Sequence, residues 1–174
     1  FSYGMYAGSH DGIHPIERLI DQLVAAQPQA LAVVLPAGNN HLGRNHAELL
    51  FADEFATRTL PWRVLPDDRN SSSVEIWLPF APSISADRVQ LAMEPPPGFL
   101  PAGQPLVWLG EREDKKLRVR DADERIVAEA SYAFIDAPTA RGVFRIDLEP
   151  TMRLAPLAAD AAVAPAGPWR LHLL

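Results

Sequence analysis

The stretch Val74-Glu75-Ile76-Trp77-Leu78 places a branched or leucine side chain at every second position, which is typical of a β-strand with one face toward a core. The stretch Leu117-Arg118-Val119-Arg120 shows the same alternation. Clusters of turn-forming residues separate such runs, at 66–70, 94–98 and 121–123. This part of the chain is therefore predicted to consist of short antiparallel strands.

After residue 44 the sequence contains nine candidate strands, at 48–52, 59–64, 74–78, 89–93, 106–109, 117–120, 126–134, 143–148 and 169–173. No second amphipathic helix pattern accompanies them. So many short strands between turns predict a mainly β fold, an antiparallel β-sandwich of the jelly-roll, galactose-binding-like class over residues 44–174. The 17 prolines fit this class, because sheet edges and loops tolerate proline better than a central parallel sheet does.

The composition is that of a globular protein and excludes several classes of partner. Hydrophobic residues make up 48% of the 174 residues and charged residues 22%, with a net charge of −6. The two signs of charge are interspersed, so nucleic acid is not an expected partner. No apolar run reaches the length of a membrane span. The absence of cysteine excludes disulfides and leaves the compartment open, a secreted or periplasmic location included.

Residues 1–43 follow a different pattern, that of a βαβ unit. Residues 14–26 predict an amphipathic helix whose apolar face consists of Ile16, Leu19, Ile20, Leu23 and Val24. Pro15 suits the first turn, and Asp11 or His14 could cap the helix. Strands are predicted on either side, at 1–6 and 30–35, and such a strand–helix–strand order normally implies a parallel sheet.

The second of these strands runs into Leu31-Ala-Val-Val-Leu-Pro-Ala-Gly-Asn-Asn40, an apolar stretch closed by a turn. In open α/β sheets functional groups lie just past the C-terminal end of such a strand, which is where Asn39 stands. The segment 33–39 resembles the strand and Ala-Gly-Asn motif of subtilisin-like serine proteases. Phe1-Ser2-Tyr3-Gly4 resembles their Ser-x-Gly strand, so the resemblance covers roughly the first quarter of the chain.

The resemblance implies that Asn39 supplies a side-chain donor of the oxyanion hole, the alternative being an ordinary Gly-Asn turn. Ser2, Tyr3 and Gly4 would then line the substrate groove and pair with a peptide substrate. The family takes its catalytic Asp and His from motifs upstream of the Ser-x-Gly strand, and its catalytic Ser from a Gly-Thr-Ser motif that this sequence lacks. The chain is therefore interpreted as a central, inactive fragment of a subtilisin-like serine endopeptidase, excised from a longer polypeptide.

A second resemblance concerns the predicted sandwich. Ala166-Gly-Pro-Trp-Arg-Leu-His-Leu173 is similar to the Gly-x-Trp-x-Leu closing strand of the jelly-roll P domains of proprotein convertases. The sandwich begins directly after the Ala-Gly-Asn motif and before any catalytic serine region. That order implies a sandwich inserted within the protease domain, with residues 1–43 as part of the α/β core.

Other residues that could carry chemistry have a structural interpretation that we prefer. The His10-Asp11 pair with His14 could form a metal site or a dyad, but a solvated loop at the helix start is expected. The three serines at 71–73 are predicted to form a turn rather than to contain a nucleophile. The aspartates at 67, 68, 121 and 123 are expected to lie in solvated turns rather than to bind calcium. The tryptophans are expected in the core, the alternative being a sugar-binding platform: Trp62, Trp77, Trp108 and Trp169.

The sequence thus favours part of a protease whose substrate is a peptide or protein and which needs no cofactor or metal. The alternative is a non-catalytic jelly-roll module that binds carbohydrate or protein. A βαβ piece alone has unpaired edges and an exposed apolar helix face. We therefore expect residues 1–43 to be partly disordered, packed on the sandwich, or buried by self-association with a second copy.

Overall fold

A computed structural model describes residues 7–27, 29–35, 38, 42–53, 56–79, 89–101, 103–110, 115–135, 141–153 and 160–174. Within these ranges the chain forms one helix, α1 (Pro15–Ala26). It also forms eight strands: β1 (Arg58–Val64), β2 (Ser72–Trp77), β3 (Gln90–Glu94), β4 (Trp108–Gly110), β5 (Lys116–Arg120), β6 (Ile126–Ile135), β7 (Arg141–Leu148) and β8 (Gly167–Leu173). The prediction of a mainly β chain is confirmed.

The strands form two four-stranded sheets in which each neighbouring pair is antiparallel. Sheet A has the order β1-β8-β3-β4, and sheet B has the order β2-β7-β6-β5. The first and last strands are neighbours, since Arg58 pairs with Leu173 and Val64 with Gly167. The chain therefore enters and leaves this two-sheet body on adjacent strands.

One hydrophobic core is shared by both sheets, because each strand turns alternate side chains toward it. In β5, Leu117 and Val119 are buried between exposed basic residues. The largest fully buried side chains come from both sheets: Trp169, Phe144, Leu91, Ile146, Leu148, Leu171 and Val127. No polar or charged side chain of the described residues is buried, so apolar burial at about 25 cal/mol per Å² is the main stabilising contribution.

Eight of the nine predicted strands are present, with bounds that agree within two residues. The strand predicted at 48–52 is wrong, because the described residues there are irregular. Leu49 packs against the core, whereas Leu50 and Phe51 are exposed. The carbonyl of Leu50 accepts a hydrogen bond of 2.7 Å from Nε of Arg58, so a side chain and not a neighbouring strand satisfies it.

The helix predicted at 14–26 is confirmed as α1, and its start explains its position. His14 is the N-cap residue: its Nδ1 accepts from the backbone N–H of Ile16 at 3.3 Å, and the Glu17 carboxylate accepts from the backbone N–H of His14 at 2.9 Å. This reciprocal capping box satisfies backbone donors that a helix start otherwise leaves unpaired. Pro15 follows at the first helical position, where its missing N–H costs nothing.

The strand predicted at 30–35 is wrong. These residues take no strand conformation and pair with no strand of the described chain. Their apolar side chains are exposed, with Val34 at 79% and Leu35 at 52%. A buried parallel strand requires neighbours that supply its ladder and cover both faces. The two-sheet body provides neither here, and the first predicted strand, at 1–6, lies outside the described residues.

Candidate functional site

The residues that the sequence assigns to an oxyanion hole and a substrate groove all lie outside the described residues: Asn39, Ser2, Tyr3 and Gly4. Their assigned roles therefore stay predictions. The described neighbour Gly38 is exposed and has φ of +85°, a left-handed conformation that glycine adopts without strain. This conformation of Gly38 is compatible both with the oxyanion interpretation and with an ordinary turn.

A series of exposed apolar side chains precedes Gly38, and we call it the 16–35 apolar surface. Each of its side chains is at least 41% exposed: Ile16, Leu19, Leu23, Val24, Leu31, Val33, Val34 and Leu35. Helix α1 has no buried residue at all. The apolar stripe predicted for the helix is thus present, but the two-sheet body does not cover it.

The loop before α1 is nevertheless attached to sheet B. The carboxylate of Asp11 forms an ion pair with Arg141 at the start of β7, and the backbone N–H of Gly8 donates to Oε2 of Glu75 at 3.0 Å. The same carboxylate oxygen accepts from Nε1 of Trp77 at 3.0 Å. Partial burial raises the pKa of Asp11, but hydrogen bonds from Ser9 and Arg141 outweigh it and hold that pKa below its usual value. Of the arrangements expected for 1–43, packing on the two-sheet body applies to this loop.

These contacts also account for the His10-Asp11 and His14 cluster. The Asp11 carboxylate forms an ion pair with Arg141, and His14 caps α1. The ring of His10 stacks on that of His46, with centroids 5.7 Å apart. The described residues include no group of three or more His, Cys, Asp or Glu that could hold a metal ion. The cluster is thus a helix-start loop, as the sequence indicated.

The serines at 71–73 are not a turn throughout, because Ser72 and Ser73 form the first residues of β2. They lie opposite Leu148 and Asp147 of β7. The turn prediction is therefore wrong for these two positions. A nucleophilic serine needs an imidazole within hydrogen-bond reach, and no such bond to Ser72 or Ser73 occurs among the described residues.

The tryptophans divide between the two interpretations made from the sequence. Trp169 is fully buried, and its Nε1 donates to the carbonyl of Pro165 at 2.9 Å. Trp62 is half-buried and packs against the core, 6.4 Å from Trp169 between ring centroids. Trp77 and Trp108 are half-buried on the outer faces of sheet B and sheet A, respectively. The core prediction therefore applies to the first pair only.

A hydrogen-bonded group of polar side chains crosses the outer face of sheet A, and we call it the sheet A cluster: Thr59, Glu94, Arg170 and His172. The two ring nitrogens of His172 contact Thr59 Oγ1 at 3.0 Å and Glu94 Oε2 at 2.8 Å. Arg170 donates to Glu94 Oε1 at 2.8 Å. The hydrogen bond from His172, together with Arg170, lowers the pKa of Glu94 against the effect of partial burial.

The order hydroxyl, imidazole, carboxylate in this cluster is that of a hydrolase relay. Thr59 lies within a paired strand, however, since β1 pairs with β8 along its length. The backbone N–H groups of a ladder lie in the plane of the sheet and do not converge above its face. The described surroundings of Thr59 therefore lack an oxyanion hole, and the geometry suits binding rather than nucleophilic catalysis.

A wide cleft of about 2080 Å³ opens between the free edges of β1 and β2 and the segment 42–53. Its half-buried apolar floor consists of Leu60, Trp62, Val74 and Ile76. In the described part of the chain β1 pairs only with β8 and β2 only with β7, so each has one edge without a ladder partner. The cleft is therefore an apolar, strand-lined depression rather than an enclosed reaction chamber.

Comparisons with known proteins return nothing: no family model, no curated protein and no solved structure matches this chain. The described residues also contain no helix with the length and hydropathy required to cross a lipid bilayer.

Proposed function

We propose that this chain is part of a subtilisin-like serine endopeptidase, in which Asn39 donates to the oxyanion and the strand of Ser2, Tyr3 and Gly4 lines the substrate groove. The Ser-x-Gly and Ala-Gly-Asn motifs motivate the proposal. The structural observation that carries it is the 16–35 apolar surface, which lies directly before the Ala-Gly-Asn motif and is left uncovered by the two-sheet body.

The number of exposed apolar side chains in the 16–35 apolar surface supports the proposal. Full burial of one such aliphatic side chain gains about 1.5–3 kcal/mol. Eight of them, spread along one helix and the run that follows it, indicate a segment suited to a larger apolar environment. A crossover helix of an α/β core has such an apolar face, because it covers one face of a sheet. Residues 30–35 form no strand here, and for them the proposal is only that the same core covers their apolar side chains.

The two-sheet body fits the role of an inserted accessory domain of the jelly-roll, galactose-binding-like class. It has eight strands in two antiparallel sheets of four, as that class requires. Arg58 near its beginning pairs with Leu173 near its end. A domain whose ends lie side by side can be inserted into a loop of another domain with little distortion. Such a body would stabilise the catalytic domain or limit access of substrate.

Asn39→Ala in the enzyme expressed from the whole reading frame tests this proposal, with Asn40→Ala as the matched control. A chromogenic peptide is the substrate, and kcat and KM are measured separately. Loss of one oxyanion donor lowers kcat about 10²–10³-fold, a magnitude established on subtilisin itself and carried over here by resemblance. KM changes little, because the donor acts on the transition state.

Two results would overturn the assignment. One is an expressed protein that neither cleaves peptides nor reacts with a fluorophosphonate probe for active-site serines. The other is an equal loss of kcat in Asn39→Ala and Asn40→Ala, since this would assign both residues to the turn. A normal rate in Asn40→Ala together with a strongly reduced rate in Asn39→Ala supports the role of Asn39 in the oxyanion hole.

The same interpretation gives an expectation for the chain on its own, namely self-association through the 16–35 apolar surface. Sedimentation velocity over a range of concentrations measures it. Leu23→Glu places a charge within the surface and lowers the associated fraction, whereas Gln22→Glu adds the same charge at the neighbouring polar position and leaves it unchanged. A chain that stays monomeric at all concentrations contradicts this expectation.

A further inference from the structure

One row of four side chains crosses the outer face of sheet A. In the register of the sheet Thr59 pairs with His172, His172 with Ala92, and Ala92 with Trp108, so the row takes one residue from each of the four strands. Their chain neighbours Leu91, Leu109 and Leu171 are buried in the core. By alternation the row itself therefore faces outward.

The aromatic end of this row is Trp108. It is half-buried, and its indole N–H makes no hydrogen bond with the described residues. Ala92, between Trp108 and His172, carries only a methyl group and is fully buried. With strands about 4.8 Å apart, the indole and the imidazole are about 10 Å apart at their backbones, which is the scale of one or two sugar rings.

The polar end of the row is held in place. Glu94 and Arg170 lie opposite each other, two residues away from Ala92 and His172 along β3 and β8. A continuous chain of hydrogen bonds of 2.8–3.0 Å joins the members of the sheet A cluster. Cross-strand contacts of this kind restrict the rotamers of all four side chains. Arg170 keeps 48% and Glu94 34% of the side chain exposed, so donors and acceptors remain for a ligand.

We propose that this surface binds a neutral oligosaccharide. One sugar ring stacks on Trp108, and hydroxyl groups of the neighbouring ring form hydrogen bonds with the sheet A cluster. A pyranose has an apolar C–H face and a polar rim, and this surface places an aromatic side chain beside a group of polar side chains. The carboxylate and the guanidinium offset each other, so the site suits a ligand without net charge.

The proposal does not depend on the protease assignment, because every residue in it belongs to the two-sheet body. Calorimetric titration of the whole chain tests it, with soluble gluco-, xylo-, manno- and galacto-oligosaccharides and with heparin fragments as an acidic comparison. Binding of at least one neutral series is expected. Trp108→Ala weakens it about tenfold, which corresponds to 1.4 kcal/mol. Thr59→Val, which keeps the shape and removes one hydroxyl, weakens it about fivefold.

Trp77→Ala is the matched control, because Trp77 is also half-buried on an outer face but belongs to sheet B and donates its N–H to Glu75. This variant keeps the affinity of the unchanged chain. Thermal unfolding verifies that each variant is folded, and Thr59→Val decides the matter should Trp108→Ala not fold. No binding of any neutral series at millimolar concentration, binding of heparin fragments only, or equal losses in Trp108→Ala and Trp77→Ala would overturn the proposal.

Discussion

The Nε2 atom of His172 lies 2.8 Å from Oε2 of Glu94 on the neighbouring strand of sheet A. The other ring nitrogen lies 3.0 Å from Thr59 Oγ1, so one imidazole links β1, β8 and β3. The hydrogen bond from His172 is the largest influence on Glu94 and lowers its pKa, burial opposes it, and Arg170 adds to the lowering. The cluster is thus held together while Glu94 is a carboxylate.

The first prediction concerns the pH dependence of stability. Because the folded-state pKa of Glu94 lies below its ordinary value of 4.5, its carboxylate stabilises the fold above that pH, and the contribution is lost as pH falls through the folded pKa. Glu94→Gln therefore unfolds more easily than the unchanged chain near neutral pH, and the difference shrinks below pH 4.5. Urea unfolding at a series of pH values measures it. A difference that stays constant with pH contradicts the role of the carboxylate.

The second prediction concerns a close contact between β7 and β6. A Cβ added at Gly142 would lie 2.5 Å from Oη and 2.8 Å from Cε2 of Tyr132, and 3.0 Å from a methyl group of Leu78. We expect Gly142→Ala to lower the free energy of unfolding by about 1–3 kcal/mol, as overpacked sites do. In a Tyr132→Leu background the same change costs less, because the ring is gone. An equal cost in both backgrounds would show that the ring is not the obstacle.

The strands of the two-sheet body could be predicted from the sequence because the alternation of apolar and polar residues is a local signal. Leu117 and Val119 point to the core and the basic residues between them to solvent, as the sequence alone indicates. The failures at 30–35 and 48–52 have one physical cause. An apolar run shows that a segment gains by burial, but a strand forms only where another strand offers its free edge, and that partner is not encoded in the run itself.

The sheet A cluster could not be predicted for a related reason. Thr59 and His172 are 113 residues apart, and only the pairing of β1 with β8 brings them together. The sequence gives the strands but not their order or register, which depend on the whole core. The position of Trp77 could have been inferred, because it shares the face of Glu75 two residues earlier and so points away from Ile76.

A third prediction addresses the start of α1. His14→Ala removes the side-chain half of the capping box, which stabilises a helix by about 1 kcal/mol. Since α1 has no buried residue, the loss appears as faster amide hydrogen exchange at 16–26 and not as a lower stability of the two-sheet body. His10→Ala, which ends the stacking contact with His46 and leaves the capping box intact, is the control. Unchanged exchange in His14→Ala would contradict the capping role.

The last prediction concerns the core between the sheets. Phe144 is fully buried and meets the edge of Tyr132, with centroids 5.2 Å apart and rings inclined by 60°. Phe144→Ala leaves a cavity that close-packed neighbours cannot fill, and we expect a loss of about 3–5 kcal/mol in the free energy of unfolding. Phe134→Ala is the matched control, because Phe134 near the end of β6 is 41% exposed and its truncation costs no more than about 1 kcal/mol. Equal losses at the two positions would mean that the sheets do not enclose Phe144, since only a side chain surrounded on both sides leaves an unfilled cavity.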